Sequence, residues 1–187
     1  MSEYIYIESR ITRYLDNVLA DAASIHSPVA VISGLSGSGK TSATLAWLEH
    51  NKLPNVYINA RSRPLLHTEV EYTPVDSLCQ TGSEMILTVT GDEFARLTTP
   101  QTKIIDSVFW PREIDAMDNA VVVIDHYDWA GDKRPQLFDF LRNCTVTDPR
   151  QPGPNFIRKV SPKMIVLIFD SSNTDDFTEE EKTAFGI

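Results

Sequence analysis

Residues 34–50 read GLSGSGKTSATLAWLEH. Gly34, Gly39, Lys40 and Thr41 occupy the fixed positions of a GxxxxGK[ST] pattern, and an apolar-periodic segment follows at once. Each position has a chemical reason. Glycines let the backbone turn its N–H groups toward an anion with no Cβ in the way. Lys40 brings an ammonium to β and γ phosphates, and Thr41 offers a hydroxyl to Mg2+. A helix from Thr41 onward aims its positive end at the same anion. Ser36, Gly37 and Ser38, with Ser42 just beyond, suit a loop packed around a phosphate. Glycine is about 7% of average composition, so the four positions rarely coincide by chance. The competing reading is a glycine-rich turn that carries an incidental lysine.

The flanking pattern fits the first reading. Residues 29–33 (VAVIS) are short, apolar and β-branched, as expected of a strand buried on both faces of a parallel sheet. Residues 9–23 predict a helix, with Ile11, Leu15, Val18, Leu19 and Ala22 on one face. Residues 41–50 predict another, with Ala43, Ala46, Trp47 and His50 on its packing side. Residues 56–59 (VYIN), 120–124 (AVVVI) and 164–169 (MIVLIF) predict strands. Residues 134–143 and 178–184 predict helices, one with Pro135 near its first turn, the other with Thr178 as N-cap and Glu179, Glu180 and Glu181 behind it. Strands alternating with helices predict an α/β fold: a parallel sheet with helices on both faces, three layers αβα. One domain over 1–187 is expected. Residues 61–118 lack a strong period and read as an irregular insertion, with a strand or hairpin at 85–90 and a helix within 99–118. Residues 146–162, rich in proline, read as a loop or hairpin carrying Arg150, Arg158 and Lys159.

Composition narrows the function classes. The 187 residues suffice for one domain with a real core. A net charge of -9 argues against a protein that coats DNA or RNA, which needs a basic face. No apolar run approaches the roughly 20 residues that span a bilayer. The first thirty residues lack the form of a signal peptide. The expected setting is therefore the cytoplasm, with no membrane partner. Cys79 and Cys144 are far apart and read as buried, reduced thiols. His26, His50, His67 and His126 show no metal spacing. Trp47 is expected in the core. Trp110 and Trp129 are expected in core or loop packing, with stacking on an adenine or a partner as the alternative.

The stretch VVVIDHYDW adds a second polar element. Asp125 directly follows four β-branched residues, so a carboxylate ends a buried strand where it can help hold Mg2+ beside the phosphates. His126 comes next. It can accept a proton from water, or mark a position that has lost its role. Asp128 is either a substitute for that role or a plain loop aspartate.

The phosphate loop from Gly34 to Thr41, VVVIDH ending at His126, and an apolar strand running into Ser172, Asn173 and Thr174 together resemble the AAA+ superfamily of P-loop ATPases. The resemblance spans about residues 9–174. It implies ATP and Mg2+ as cofactors, and Thr41 and Asp125 as the residues that hold the metal. Asn173 matches the family's sensor 1 position near the γ-phosphate. His126 stands where the family usually has a water-orienting glutamate, which puts the rate of hydrolysis in question. The segment 147–162 resembles the insertion of the MoxR-like branch. With the chain ending at Ile187, the family's last core strand, arginine finger and helical lid are expected to be absent. A second copy or a partner chain would then supply them, or the sequence is a fragment. Arg134, Arg142, Arg150 and Arg158 are candidates to act in trans.

Three functions follow. The first is an ATPase that couples its cycle to remodelling or assembly of a protein or nucleic-acid partner, with His126 or Asp128 orienting water. The second is a nucleotide-gated binding module with weak or no hydrolysis. The third is a small nucleotide kinase.

Overall fold

A strand buried on both faces needs apolar side chains at every position, and VVVI and MIVLIF supply them. The computed structural model describes residues 6–60, 69–70, 89–90, 111–147 and 157–187. In chain order the elements are α1 (Arg10–Asp21), β1 (Val29–Gly34), α2 (Lys40–His50), β2 (Asn55–Asn59), β3 (Glu69–Val70), β4 (Val89–Thr90), α3 (Pro111–Ala116), β5 (Val121–Asp125), α4 (Arg134–Asn143), β6 (Thr145–Thr147), β7 (Ile157–Lys159), β8 (Met164–Asp170) and α5 (Glu179–Phe185). Short 3-10 turns at Tyr127–Trp129 and Gly131–Lys133 bridge β5 to α4.

The architecture is α/β. Four parallel strands run in the order β1-β8-β5-β2. Side chains alternate between the sheet's two faces. Ala30, Ile32, Val121, Val123, Met164, Val166 and Ile168 meet Leu15 of α1 and Trp47 and Leu48 of α2. Val56, Ile58, Val122, Ile124, Ile165, Leu167 and Phe169 meet Ile114 and Met117 near α3, and Leu137, Phe140 and Leu141 of α4. Both faces are therefore covered by helices, as the strand–helix alternation predicts.

The boundaries of α1, β1, α2, β2, β5, α4, β8 and α5 lie within two residues of the sequence expectation, and α4 matches it. Ser9 caps α1 reciprocally with Thr12 rather than joining the helix. Trp47 is fully buried, and its Nε1 donates to Asp16 Oδ1 at 2.7 Å, which ties α2 to α1. His50 departs from the expected packing side. It is exposed in the last turn of α2 and stacks on Tyr6, while Leu48 takes the buried place. The proline-rich segment is a hairpin at its base: β6 and β7 pair antiparallel, with 148–156 outside the described residues. Of the expected insertion at 61–118, β3 pairs antiparallel with β4, and α3 is a helix. The expected strand at 85–90 is seen only at β4, and Trp110, Cys79 and His67 lie outside the described residues. Cys144 is a free, buried thiol. Among the described residues, no helix is long and apolar enough to cross a membrane.

The C-terminal helix is anchored by a buried polar group. Thr178 and Glu181 form a capping box. Glu181 is 3% exposed, and Oε1 accepts the Tyr127 hydroxyl while pairing with Arg134 Nε at 3.2 Å. Burial first, then the adjacent Glu181 carboxylate, pushes the Tyr127 hydroxyl far above its ordinary range, so it stays a donor. Removing one member of such a set strands the others. Glu181→Ala is therefore expected to cost about 3 kcal/mol, read as a lower denaturation midpoint. Glu179→Ala, at an exposed position on the same turn, should leave the midpoint nearly unchanged.

Candidate functional site

Parallel strands end together at one edge of a sheet, and ligands of open α/β sheets bind outside that edge. Here β1, β8 and β5 end side by side, and α2 begins at the same place. Strand alternation decides which terminal side chains face α2. Val121 and Val123 pack toward α2, so Asp125 points the same way. Met164, Val166 and Ile168 do likewise, so Asp170 joins it.

Between them lies an open cavity of about 240 Å3. Residues 36–42 form one wall: Ser36, Gly37, Ser38, Gly39, Lys40, Thr41 and Ser42, all expected from the sequence. Asp125, His126, Asp128, Trp129 and Asp170 form much of the other. Gly37 and Gly39 have φ of +76° and +79°, conformations that a side chain would strain. Gly39 is also the N-cap of α2, with no side-chain cap bond, so nothing of its own closes the positive end of the helix. Gly34 does not line the cavity. Its carbonyl accepts the Lys40 ammonium at 2.8 Å and the Ser171 N–H at 3.1 Å. Lys40 also reaches the Leu35 carbonyl at 2.8 Å. The ammonium is thereby held over the loop, at the cavity wall.

Asp125 is the hub. It is 1% exposed. Its Oδ2 accepts the Thr41 hydroxyl at 2.6 Å and the Tyr57 hydroxyl at 2.7 Å, and its Oδ1 accepts the His126 N–H at 2.8 Å. Thr41 and Asp125, assigned together from sequence, meet directly across 84 residues of chain. Tyr57 was not anticipated. The signal was its place in VYIN: between the inward Val56 and Ile58, it faces the opposite side of the sheet, toward α2. His126 has φ +57°, a left-handed conformation that costs a non-glycine residue about 1 kcal/mol. Its Nε2 lies 3.9 Å from Asp125 Oδ2.

Asp128 and Asn173 come together. Asn173 Nδ2 donates to Asp128 Oδ2 at 2.9 Å, and the Asp170 N–H donates to Asp128 Oδ1 at 3.3 Å. Asp128 thus latches the turn after β5 to the turn after β8. Asn173 itself is exposed and does not line the cavity; Asp170, the last residue of β8, does. Ser172 donates its N–H at 2.9 Å and its hydroxyl at 2.7 Å to Asp170 Oδ1. These bonds, with the Lys40 charge, hold the Asp170 carboxyl below its ordinary range. Trp129, in the turn Tyr127–Trp129, is 53% exposed at the cavity, while Trp47 is fully buried.

Three of the four arginines considered for action in trans have partners in this chain. Arg134 pairs with Glu181 and donates to the Asp176 carbonyl, Arg142 pairs with Glu180, and Arg158 pairs with Asp115 and Asp118. Arg150 lies outside the described residues.

The donor set at the Thr41–Asp125 junction is hard oxygen, which suits Mg2+. No group of three or more His, Cys, Asp or Glu able to hold a metal occurs among the described residues. A cation here would complete its shell with phosphate oxygens and water, as Mg2+ commonly does. No protein-family model matches the chain, and no curated protein matches it in sequence.

Proposed function

We propose that this chain is a P-loop protein of the AAA+ type that binds ATP with Mg2+ and hydrolyses it. In this reading the cycle drives remodelling or assembly of a protein or nucleic-acid partner, and a second copy or another chain supplies an arginine in trans. The observation that carries the proposal is the 2.6 Å bond from Thr41 to Asp125 beside a cavity walled by the Lys40 loop. A turn with an incidental lysine has no need of a buried carboxylate at that place. The position of β8 between β1 and β5 also favours it, because the polar end of β8 then lies between the loop and Asp125.

Each residue has a task in this scheme. Residues 36–42 cradle the phosphates with backbone N–H groups, and the Lys40 ammonium binds the β and γ oxygens. The Thr41 hydroxyl and, through water, the Asp125 carboxylate would hold Mg2+, which neutralises phosphate charge when bound. Tyr57 and the His126 N–H fix the Asp125 carboxylate. Asp128 orients the attacking water: both its oxygens are pinned by hydrogen bonds, and each keeps acceptor capacity.

The test pairs ATP binding with phosphate release. Asp128→Asn is expected to lower release by about a hundredfold at nearly constant ATP affinity, and His126→Ala by less than about tenfold. The reverse ranking would hand the water-orienting role to His126. Tight binding by the wild type with no release would favour the nucleotide-gated module, whose supporting observation is the His126 ring resting against Asp125 in place of a free carboxylate.

A further inference from the structure

Among the described residues, the charge balance of the cavity lining has the wrong sign for a bare polyanion. Its described lining sets one ammonium, Lys40, against three carboxylates, Asp125, Asp128 and Asp170. Asp125 and Asp128 have roles in the reaction proposed above; Asp170 has none. Yet Asp170 is built into the wall. It closes β8 directly opposite Gly34, the first residue of the phosphate loop. Ser172 fixes its carboxylate with two hydrogen bonds, and its N–H is bound to Asp128. The Ser36 N–H and the Lys40 charge both act on that carboxylate. These are groups that would otherwise be offered to a phosphate.

Resting on the nucleotide reading, we infer that Asp170 is a selectivity residue, whose carboxylate rejects a free triphosphate and admits one already complexed with a divalent cation. The physical reason is like-charge repulsion at close range between the carboxylate and the phosphate oxygens. A divalent cation cancels much of the triphosphate's charge, so the complex meets Asp170 at smaller cost. The cation requirement then applies to binding itself, before any chemistry. It is enforced by a residue that need not touch the metal.

The test is calorimetric titration with ATP and with inorganic tripolyphosphate, each in Mg2+ and in EDTA at matched ionic strength. Wild type should bind the Mg2+ complexes and bind the metal-free probes much more weakly. Asp170→Asn keeps the shape and can still accept from Ser172. It should tighten binding of the metal-free probes by about tenfold while changing affinity for the Mg2+ complexes by less than about threefold. Asp170→Ser provides a second polar variant if the first folds poorly, with melting temperature as the check. Asp175→Asn, an exposed carboxylate outside the cavity lining, should leave the ratio as in wild type. Unchanged metal-free affinity in both Asp170 variants, with Mg2+–ATP still bound, overturns this inference and leaves the nucleotide reading standing. A wild type that binds neither form overturns both.

Discussion

Replacing Lys40 with alanine is expected to weaken ATP binding by about 4 kcal/mol, close to a thousandfold. The figure treats the ammonium as the donor of two charge-assisted hydrogen bonds to phosphate oxygens, at roughly 2 kcal/mol each. Lys40 Nζ bonds the Gly34 and Leu35 carbonyls at 2.8 Å. Binding therefore redirects an ammonium that is in place, rather than ordering a free side chain. The same contacts create a confounding effect, because alanine also releases the loop. Lys40→Met retains most of the stem and removes the ammonium with its hydrogen bonds, so it separates lost stem packing from loss of the head group, and the melting temperature reports what release of the loop costs. If both variants melt near the wild-type temperature and both lose the stabilisation that ATP gives wild type, the loss belongs to the ammonium. ATP affinity within a few-fold of wild type in both variants would return residues 34–41 to an ordinary strand-to-helix turn.

The loop and Asp125 were legible because their signals are local. Four fixed residues in eight positions, or a carboxylate after VVVI, can be read without knowing what packs against what. β5 and β8 were legible for a related reason: burial on both faces leaves an unbroken apolar run. Tyr57 and Asp170 matter through a different kind of fact. Each lies at the site because its parity in a strand turns it toward α2, and because that strand lies next to a particular neighbour. Strand order is a long-range property that no window of sequence contains. Parity itself was available: Asp170 continues the series Met164, Val166, Ile168. The polar run after it points to Asn173, which bonds to Asp128 and does not line the cavity. Glu181 shows the same limit. Within three successive glutamates, helical geometry buries one and exposes two, and only the place of Tyr127 and Arg134 says which.

Asp125 is expected to show two separable effects, and their separation is what tests its role. Asp125→Ala removes the acceptor of the Thr41 and Tyr57 hydroxyls and the His126 N–H from a position 1% exposed. That should cost about 3 kcal/mol of stability, because hydroxyls near the cavity recover only part of the loss from water. Asp125→Asn keeps one oxygen acceptor and the same volume, so its stability cost should be smaller. In Mg2+-dependent phosphate release the two variants should instead behave alike, each falling by about a thousandfold, since in the proposed function neither carries the negative charge that would help hold the cation. Thermal denaturation and steady-state release, measured on the same preparations, give both readings. If Asp125 were only a scaffold for Thr41, Tyr57 and the left-handed His126, release would track stability, and the asparagine variant would retain most of it. If it holds Mg2+ through its charge, the asparagine variant is nearly as stable as wild type and nearly as inactive as alanine. Nearly wild-type release by Asp125→Asn would remove Asp125 from the metal site and leave Thr41 as its sole assigned residue.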